Sequence, residues 1–171
     1  MHDGIWKRGY RLFITLIVCC WLKSGCTPPP VQQHPPVDNT RVFNVAFDEV
    51  WAHMLSAVTT GEETLSFVDK NTGIMTFQKN IPVKQLDTYA FDDSGMLMSN
   101  ATANVVVRII AEQPNRTRIV MQTKITATGK DVLDVFLSRQ RQVVLESKGW
   151  LEREYFDRIT EHLKASPAHA P

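Results

Sequence analysis

The chain has 171 residues, of which 43% are hydrophobic and 22% charged, and its formal net charge is +1. These values are typical of one folded globular domain and exclude an intrinsically disordered chain. All three cysteines, Cys19, Cys20 and Cys26, lie near the N-terminus, so the rest of the chain has no disulfide framework, thiolate nucleophile or cysteine-ligated metal.

The charge is divided unevenly between the first 25 residues and the rest. The first 25 residues hold four of the 19 basic and one of the 18 acidic residues, which leaves 15 basic and 17 acidic residues, a net charge of −2, in the remainder. A near-neutral body has no field that attracts nucleic acid or an anionic membrane surface. We therefore expect no nucleic-acid partner and assign the basic residues of the head to targeting.

Residues 1–25 have the organisation of a signal peptide. Lys7, Arg8 and Arg11 form a positive segment, and an apolar run of 11 residues follows at 12–22. The run is shorter than the roughly 20 residues of a membrane-spanning helix, but it suits the hydrophobic region of an export signal. Ser24 and Gly25 are small, so they give a peptidase access to the backbone.

The segment Leu-Lys-Ser-Gly-Cys at residues 22–26 resembles the lipobox of bacterial lipoproteins. The resemblance implies cleavage between Gly25 and Cys26 and transfer of palmitate-type acyl chains to the Cys26 thiol. Lys23 departs from the family pattern, which usually has Leu there. Residues 17–20, Ile-Val-Cys-Cys, are an alternative lipobox with bulkier neighbours; a plain secretory signal or a short uncleaved anchor is a further alternative.

Acylation of Cys26 predicts firm attachment to a membrane. Each buried CH₂ contributes about 0.8 kcal/mol, and a bacterial lipoprotein carries two or three acyl chains. Thr27 follows the cysteine, whereas Asp at that position favours retention at the inner membrane in the family. The resemblance therefore implies a lipid-anchored protein of the outer membrane that faces the periplasm, with inner-membrane anchoring as the alternative.

Residues 26–40 are predicted to form a flexible tether, because five prolines lie between residues 26 and 39. Proline lacks the amide donor and fixes φ, so this stretch joins neither a helix nor a central strand. Polyproline II extension of about 3.1 Å per residue gives a reach of about 40 Å. A disordered leader with no set length is equally compatible.

Residues 41–164 are predicted to form one α+β domain, an antiparallel sheet of about five strands in the order β-α-β-β-(β)-β-β-α, covered on one face by helices. Strands are predicted at residues 41–46, 64–68, 74–78, 102–111 and 116–126, with one more near 86–91. Turns are predicted at 69–73, 92–95 and 113–116. In the strand at 116–126, one set of alternate residues is predicted to face solvent: Arg118, Gln122, Lys124 and Thr126.

Helical periodicity predicts three helices. The first spans residues 47–58, with an apolar face of Phe47, Val50, Trp51, Met54, Leu55 and Val58. A short second helix is predicted at 131–142, with an apolar face of Val132, Val135, Phe136 and Val143. The third spans 147–163, with Leu151, Tyr155, Ile159 and Leu163 at i+4 steps; residues 165–171 form a frayed tail.

Three segments resemble small proteobacterial envelope lipoproteins: VAFDEVW at residues 45–51, VDKNTGIMT at 68–76 and SKGWLE at 147–152. The region they cover, about residues 41–163, is similar to the helix-grip modules of the BamC-type lipoprotein of the outer-membrane assembly machinery. The resemblance implies an assembly or interaction function and transfers no catalytic residue. Residues 80–100 and 130–146 do not follow its pattern.

The sequence contains no P-loop, G-x-S-x-G, HExxH or CxxC motif. Its five histidines are scattered, at His2, His34, His53, His162 and His169. Asp87, Asp92 and Asp93 lack the spacing of a calcium loop, and turn formation explains them better. We therefore expect no enzymatic activity, no cofactor and no metal site.

The sequence is compatible with two functions. The favoured one is a non-enzymatic module that binds an envelope protein by its sheet edge or a helix face. Trp150 and Phe156 are the possible partner surface: both cannot share the apolar face of the last helix, so one of the two is expected to be exposed, and an exposed aromatic residue marks a binding surface. The alternative is a carrier that holds an apolar ligand between the C-terminal helix and the sheet.

Overall fold

The computed structural model describes residues 34–131 and 139–165. By compactness the chain divides into Met1–Pro35 and Pro36–Pro171, and every helix and strand described belongs to the second unit. Predictions about the signal peptide, Cys26 and its cleavage site lie outside the described residues, as do those about residues 132–138 and 166–171.

Seven strands and three α-helices are formed by these residues. In chain order the elements are β1 (Thr40–Phe43), α1 (Phe47–Thr59), β2 (Thr64–Asp69), β3 (Ile74–Ile81), α2 (Leu86–Tyr89), β4 (Ala90–Phe91), β5 (Met96–Gln113), β6 (Arg116–Asp131), β7 (Arg141–Ser147) and α3 (Trp150–Ala165). A short 3₁₀ turn at Val83–Gln85 precedes α2. The predicted α+β class with one antiparallel sheet is confirmed, with seven strands rather than about five.

The strands form one open sheet in the order β2-β3-β5-β6-β7-β4. β1 also pairs with β6, through residues 117–120, whereas β7 pairs with residues 125–129 of the same strand. Since β5 pairs with β6 along its whole length, β1 and β7 share the other edge of β6. The first and last strands of the domain therefore lie end to end on one central strand.

The β5–β6 hairpin is the centre of the sheet, and its pairs run from Gln113 and Arg116 at the turn to Met96 and Asp131 at the open end. Residues on its inner face alternate with outward residues, as predicted for residues 116–126. Both strands are longer than predicted. The added residues pair mainly with each other, 96–101 of β5 with 127–131 of β6, and β7 also pairs with residues 125–129 of β6.

Helices α1 and α3 cover the inner face of the sheet, as predicted. Val50, Met54 and Val58 of α1 are fully buried, and so are Tyr155 and Ile159 of α3. The Tyr155 ring packs edge-on against Phe77 of β3, with ring centroids 4.9 Å apart. Burial of each large apolar side chain contributes about 1.5–3 kcal/mol, so this interface fixes the helices on the sheet.

The helix predicted at residues 131–142 is wrong wherever that segment is described. Asp131 is the last residue of β6, and Arg141 and Gln142 begin β7. In β7 the side chains of Val143, Leu145 and Ser147 point inward at alternate positions, and the free edge of β6 supplies backbone partners. The period of two, together with this edge, favours a strand.

Two further boundaries differ from the prediction. Of the strand expected near residues 86–91, only Ala90–Phe91 pairs with β7, because Leu86–Tyr89 forms the short helix α2. The first strand ends at Phe43 instead of residue 46. The last helix begins at Trp150 instead of residue 147, because Gly149 adopts a left-handed φ of 77° and separates it from β7.

The segments that carry the lipoprotein resemblance form turns and a helix start. In 68–76, the Asp69 carboxylate accepts hydrogen bonds from the Asn71 amide at 3.0 Å and the Thr72 hydroxyl at 2.9 Å. In 147–152, the Ser147 hydroxyl accepts the Gly149 amide at 3.1 Å and donates to the buried Glu152 carboxylate at 3.4 Å. These residues shape the connections between elements.

Residues immediately before β1 also contact the domain. The Asn39 carbonyl accepts a hydrogen bond from the Met121 amide at 2.8 Å. A Cβ added to Gly149 would lie 2.8 Å from Cγ1 of Val37. Val37 therefore packs against the domain between the end of β7 and the start of α3.

Candidate docking surface

The outer face of the sheet is the face opposite α1 and α3. Cross-strand register places one continuous set of side chains there: Phe67 of β2 opposite Thr76, Thr76 opposite Val106, and Val106 opposite Gln122. The next two rows contain Ile74, Arg108 and Val120, and then Ile110, Arg118 and Val42. Among the described residues, no helix packs on this face.

A partly exposed apolar group surrounds Arg108 in the middle of this face. We call this set the outer patch, and it comprises Arg108 and six apolar residues: Val42, Phe67, Ile74, Val106, Ile110 and Val120. Phe67 is 50% exposed, Val106 41%, Val42 39% and Ile110 37%. Single exposed apolar residues are ordinary, but a contiguous group drawn from five strands of one sheet is typical of an interaction surface.

Arg108 lies at the centre of the outer patch and is exposed. Its neighbours across the sheet are Ile74 and Val120, and its neighbours along β5 on the same face are Val106 and Ile110. Glu112, farther along β5, pairs with Arg118 and, at 3.0 Å, with Arg116. Within residues 34–131 and 139–165, Arg108 has no hydrogen bond or ion pair.

Strand β2 forms one edge of the sheet next to the outer patch. Phe67 and Val68 are both exposed there, and the register shifts between Leu65 and Phe67 in a β-bulge. No other described strand pairs with the outward edge of β2. Exposed apolar edges of this kind favour pairing with another chain, and a bulge restrains it.

The structure separates the two aromatic residues proposed as a partner surface. Trp150 is 47% exposed, with the Arg153 guanidinium 5.3 Å from its ring centroid, whereas Phe156 is only 1% exposed. Phe156 belongs to the core, and the Arg41 guanidinium lies 4.9 Å from the centroid of its ring. Of the two candidates, Trp150 is therefore the exposed residue, and Phe156 is not available to a partner because it shares the buried side of α3 with Tyr155 and Ile159.

A charged network joins the helix layer to the sheet. The Glu63 side chain is only 2% exposed; its Oε1 accepts a 2.5 Å hydrogen bond from the Tyr155 hydroxyl and lies 3.6 Å from the Lys79 ammonium. Lys79 also donates to both oxygens of Glu154 at 3.1 Å, and Arg158 pairs with Glu154 at 2.5 Å. Two carboxylates thus meet two cations, which balances the charge of a partly buried site.

Burial raises the pKa of Tyr155 far above its ordinary value, and the hydrogen bond and negative charge of Glu63 raise it further. Arg158 opposes this shift. The phenol is therefore held protonated as a hydrogen-bond donor. We interpret the network as a clamp between α3, β3 and the loop before β2.

The space required by the carrier hypothesis lies between α3 and the sheet. There Tyr155 contacts Phe77, and Phe156 and Ile159 are buried. An apolar ligand at this interface would have to displace core side chains, whereas a partner on the outer patch would displace only water.

The histidines and aspartates considered in the sequence do not form one site. His53 and His162 meet across α1 and α3, with ring centroids 6.0 Å apart. Asp92 accepts hydrogen bonds from the amide and hydroxyl of Ser94, as expected for a turn. In the part of the chain that the structure describes, no cluster of three or more His, Cys, Asp or Glu residues is placed to hold a metal ion.

None of the described helices is both long enough and apolar enough to cross a bilayer. No protein-family model matches the chain, and no match is found among curated proteins.

The outer patch was not predicted from the sequence. Its face was expected to be polar because Arg118, Gln122 and Lys124 of β6 face outward, as they do in the structure. The available signal was in β5, where residues 105–111 are apolar except for Arg108. Such a run places apolar side chains on both faces of the strand, which is typical of strands that are buried on both faces.

Proposed function

We propose that this chain is a membrane-anchored bacterial lipoprotein that acts as a non-enzymatic interaction or assembly module of the cell envelope. Acyl chains on Cys26 hold it in the outer membrane, and the proline-rich segment presents the folded domain to the periplasm. The resemblance of residues 41–163 to the BamC-type modules supports a role beside the assembly machinery of that membrane.

The observation that carries the proposal is the outer patch. A sheet covered by helices on one face only, with Phe67, Val106 and Ile110 exposed on the other, has a surface whose burial would be favourable at about 25 cal/mol per Å² of apolar area. An envelope protein seated there would provide this burial. Trp150 lies in the helix layer, on the opposite side of the sheet, and is a separate secondary contact.

The anchor is tested by replacing Cys26 with Ser. We expect the variant to accumulate at the size of the unprocessed precursor and to lack acyl chains, because both cleavage and acylation need the thiol. An unchanged pellet fraction together with an unchanged size would contradict the anchor.

Docking is tested by placing a photo-cross-linking amino acid at Val106 in the anchored full-length protein. We expect a discrete adduct in outer-membrane fractions whose second component is identified by mass spectrometry. Exposed Glu161 of α3 is the matched control position, and it should give no such adduct. Absence of an adduct at Val106, or equal adducts at both positions, would contradict docking by the outer patch.

A further inference from the structure

We propose that the partner of the outer patch is a protein surface that presents a carboxylate, surrounded by apolar groups, to Arg108. This inference rests on the proposed docking function and specifies the chemistry of its partner. Arg108 differs from Arg116 and Arg118, the other arginines of the outer face, which both pair with Glu112.

Arg118 pairs with Glu112, but Arg108 has no ion pair among the described residues. Arg108 is also ringed by apolar neighbours, since Ile74 and Val120 flank it across the sheet and Val106 and Ile110 flank it along the strand. A partner that covers the apolar ring also removes water from the guanidinium. That desolvation is compensated only if the partner supplies an acceptor, and a carboxylate does so through two parallel hydrogen bonds.

A second copy of this chain does not fit the requirement. A two-fold contact centred on the outer patch places Arg108 against Arg108 and brings like charges together. The nearby carboxylates are already engaged, since Glu112 pairs with two arginines and Asp69 accepts hydrogen bonds from the turn at residues 70–73. The partner is therefore a different protein that presents a carboxylate.

A phosphate-rich membrane surface fits less well, because phosphates would engage Arg108 while the apolar ring beside it remained uncovered. An arginine at the centre of an apolar ring has instead the composition of an interface hot spot, in which arginine is enriched and the surrounding contacts exclude water.

Lys124 offers a matched control. It lies on the same outer face of the same hairpin and has no ion pair within the described ranges, but its partner across the strands is the polar Asn104. Arg108→Glu and Lys124→Glu change the charge of the face equally. Both substitutions lie on exposed strand positions, so neither should disturb the core.

The experiment measures the adduct from the cross-linker at Val106 in anchored chains carrying each substitution. We expect Arg108→Glu to reduce the adduct at least tenfold and Arg108→Lys to reduce it less, because an ammonium retains the charge but loses the two-point geometry. Lys124→Glu should reduce it less than twofold. Once the partner and its carboxylate opposite Arg108 are identified, replacing that carboxylate residue with Lys should restore the adduct of the Arg108→Glu chain.

The outcomes separate this inference from the function on which it rests. No adduct with unsubstituted Arg108 would overturn both. An adduct that survives Arg108→Glu, or that Lys124→Glu diminishes equally, would overturn the recognition by Arg108 alone. An adduct with the mass of two copies of this chain, or Arg108-dependent co-sedimentation of the Cys26→Ser chain with phosphatidylglycerol vesicles, would replace the carboxylate-presenting protein by self-association or by lipid.

Discussion

The Tyr155 hydroxyl donates a 2.5 Å hydrogen bond to the Glu63 carboxylate from a position 92 residues away in the sequence. This bond ties the middle of α3 to the loop that links α1 with β2. Glu63 is otherwise approached by Lys79 at 3.6 Å and Arg158 at 3.9 Å, and its second oxygen is buried without a hydrogen-bond partner among the described residues. The carboxylate therefore depends on the phenol.

Tyr155→Phe is expected to lower the free energy of unfolding by about 1–3 kcal/mol, because the buried carboxylate loses its hydrogen bond while keeping its charge. Tyr89→Phe is the control, since that ring lies near Lys79 at 5.8 Å but donates no hydrogen bond within the described residues. It should change the free energy by less than about 0.5 kcal/mol. Urea unfolding of the Cys26→Ser chain measures both, and equal effects would refute the role of the phenol.

The raised pKa of Tyr155 predicts a loss of stability at alkaline pH. A group whose pKa is higher in the folded state contributes its full stabilisation below the unfolded value, about 10 for tyrosine, and loses it as the pH rises toward the folded value. The stability difference between the natural chain and Tyr155→Phe should therefore shrink above pH 10. Phenolate absorbance should show Tyr155 ionising together with unfolding; ionisation near pH 10 in a folded chain would contradict this.

Gly61→Ala is expected to be destabilising through its contact with Glu63. A Cβ at residue 61 would lie 1.7 Å from Oε2 of Glu63, and the bond to Tyr155 prevents that side chain from moving away. We expect a loss of about 1–3 kcal/mol. In a Glu63→Ala background the same change should cost much less, and a double-mutant cycle measures the difference. Strict additivity would show that the clash is relieved elsewhere.

Gly73→Ala and Gly95→Ala separate close approach from backbone strain. Both glycines have positive φ, 68° and 64°, but a Cβ at Gly73 meets the Ile109 carbonyl at 2.2 Å and one at Gly95 meets nothing within 4 Å. Gly95→Ala should cost about 1–2 kcal/mol from strain alone. Gly73→Ala should cost more, because the Gly73 carbonyl accepts the Ile109 amide at 2.8 Å and fixes the turn. Thermal unfolding that ranks the two equally would contradict this account.

Phe156→Ala and Trp150→Ala test the two sides of α3. The first removes a fully buried ring and should lower the free energy of unfolding by about 3–5 kcal/mol. The second removes an exposed ring stacked with Arg153 and should lower it by less than about 1 kcal/mol. Denaturant titrations measure both free energies of unfolding, provided that their dependence on denaturant concentration is unchanged. A larger loss for Trp150→Ala than for Phe156→Ala would contradict the burial of Phe156.

The sequence predicted the elements whose apolar period is long and regular. Val50, Met54 and Val58 in α1, and Leu151, Tyr155 and Ile159 in α3, repeat over several turns, so their helices and buried faces are evident. The β5–β6 hairpin is equally clear, because two long β-branched runs flank a short turn. Helix α2 has only four residues, too few for any period to appear.

β7 was missed for a different reason. Only three of its residues point inward, so its alternating pattern is short. It pairs with β6 without a short hairpin turn between the two strands, so no turn motif predicts the pairing. The outer patch was missed because its members come from five strands and become neighbours only through the register of the sheet. Tertiary pairing, which local sequence does not encode, decides both features.

The shared edge of β6 determines the order in which the molecule can be completed. During synthesis from the N-terminus, β2, β3, β5 and β6 can pair as neighbours. Residues 125–129 of β6 have no partner on their second edge until residues 141–147 have been made. Folding before that point would leave a partly finished template for strands of other chains. A chain that assembles its sheet only after residues 141–147 are available would avoid that hazard.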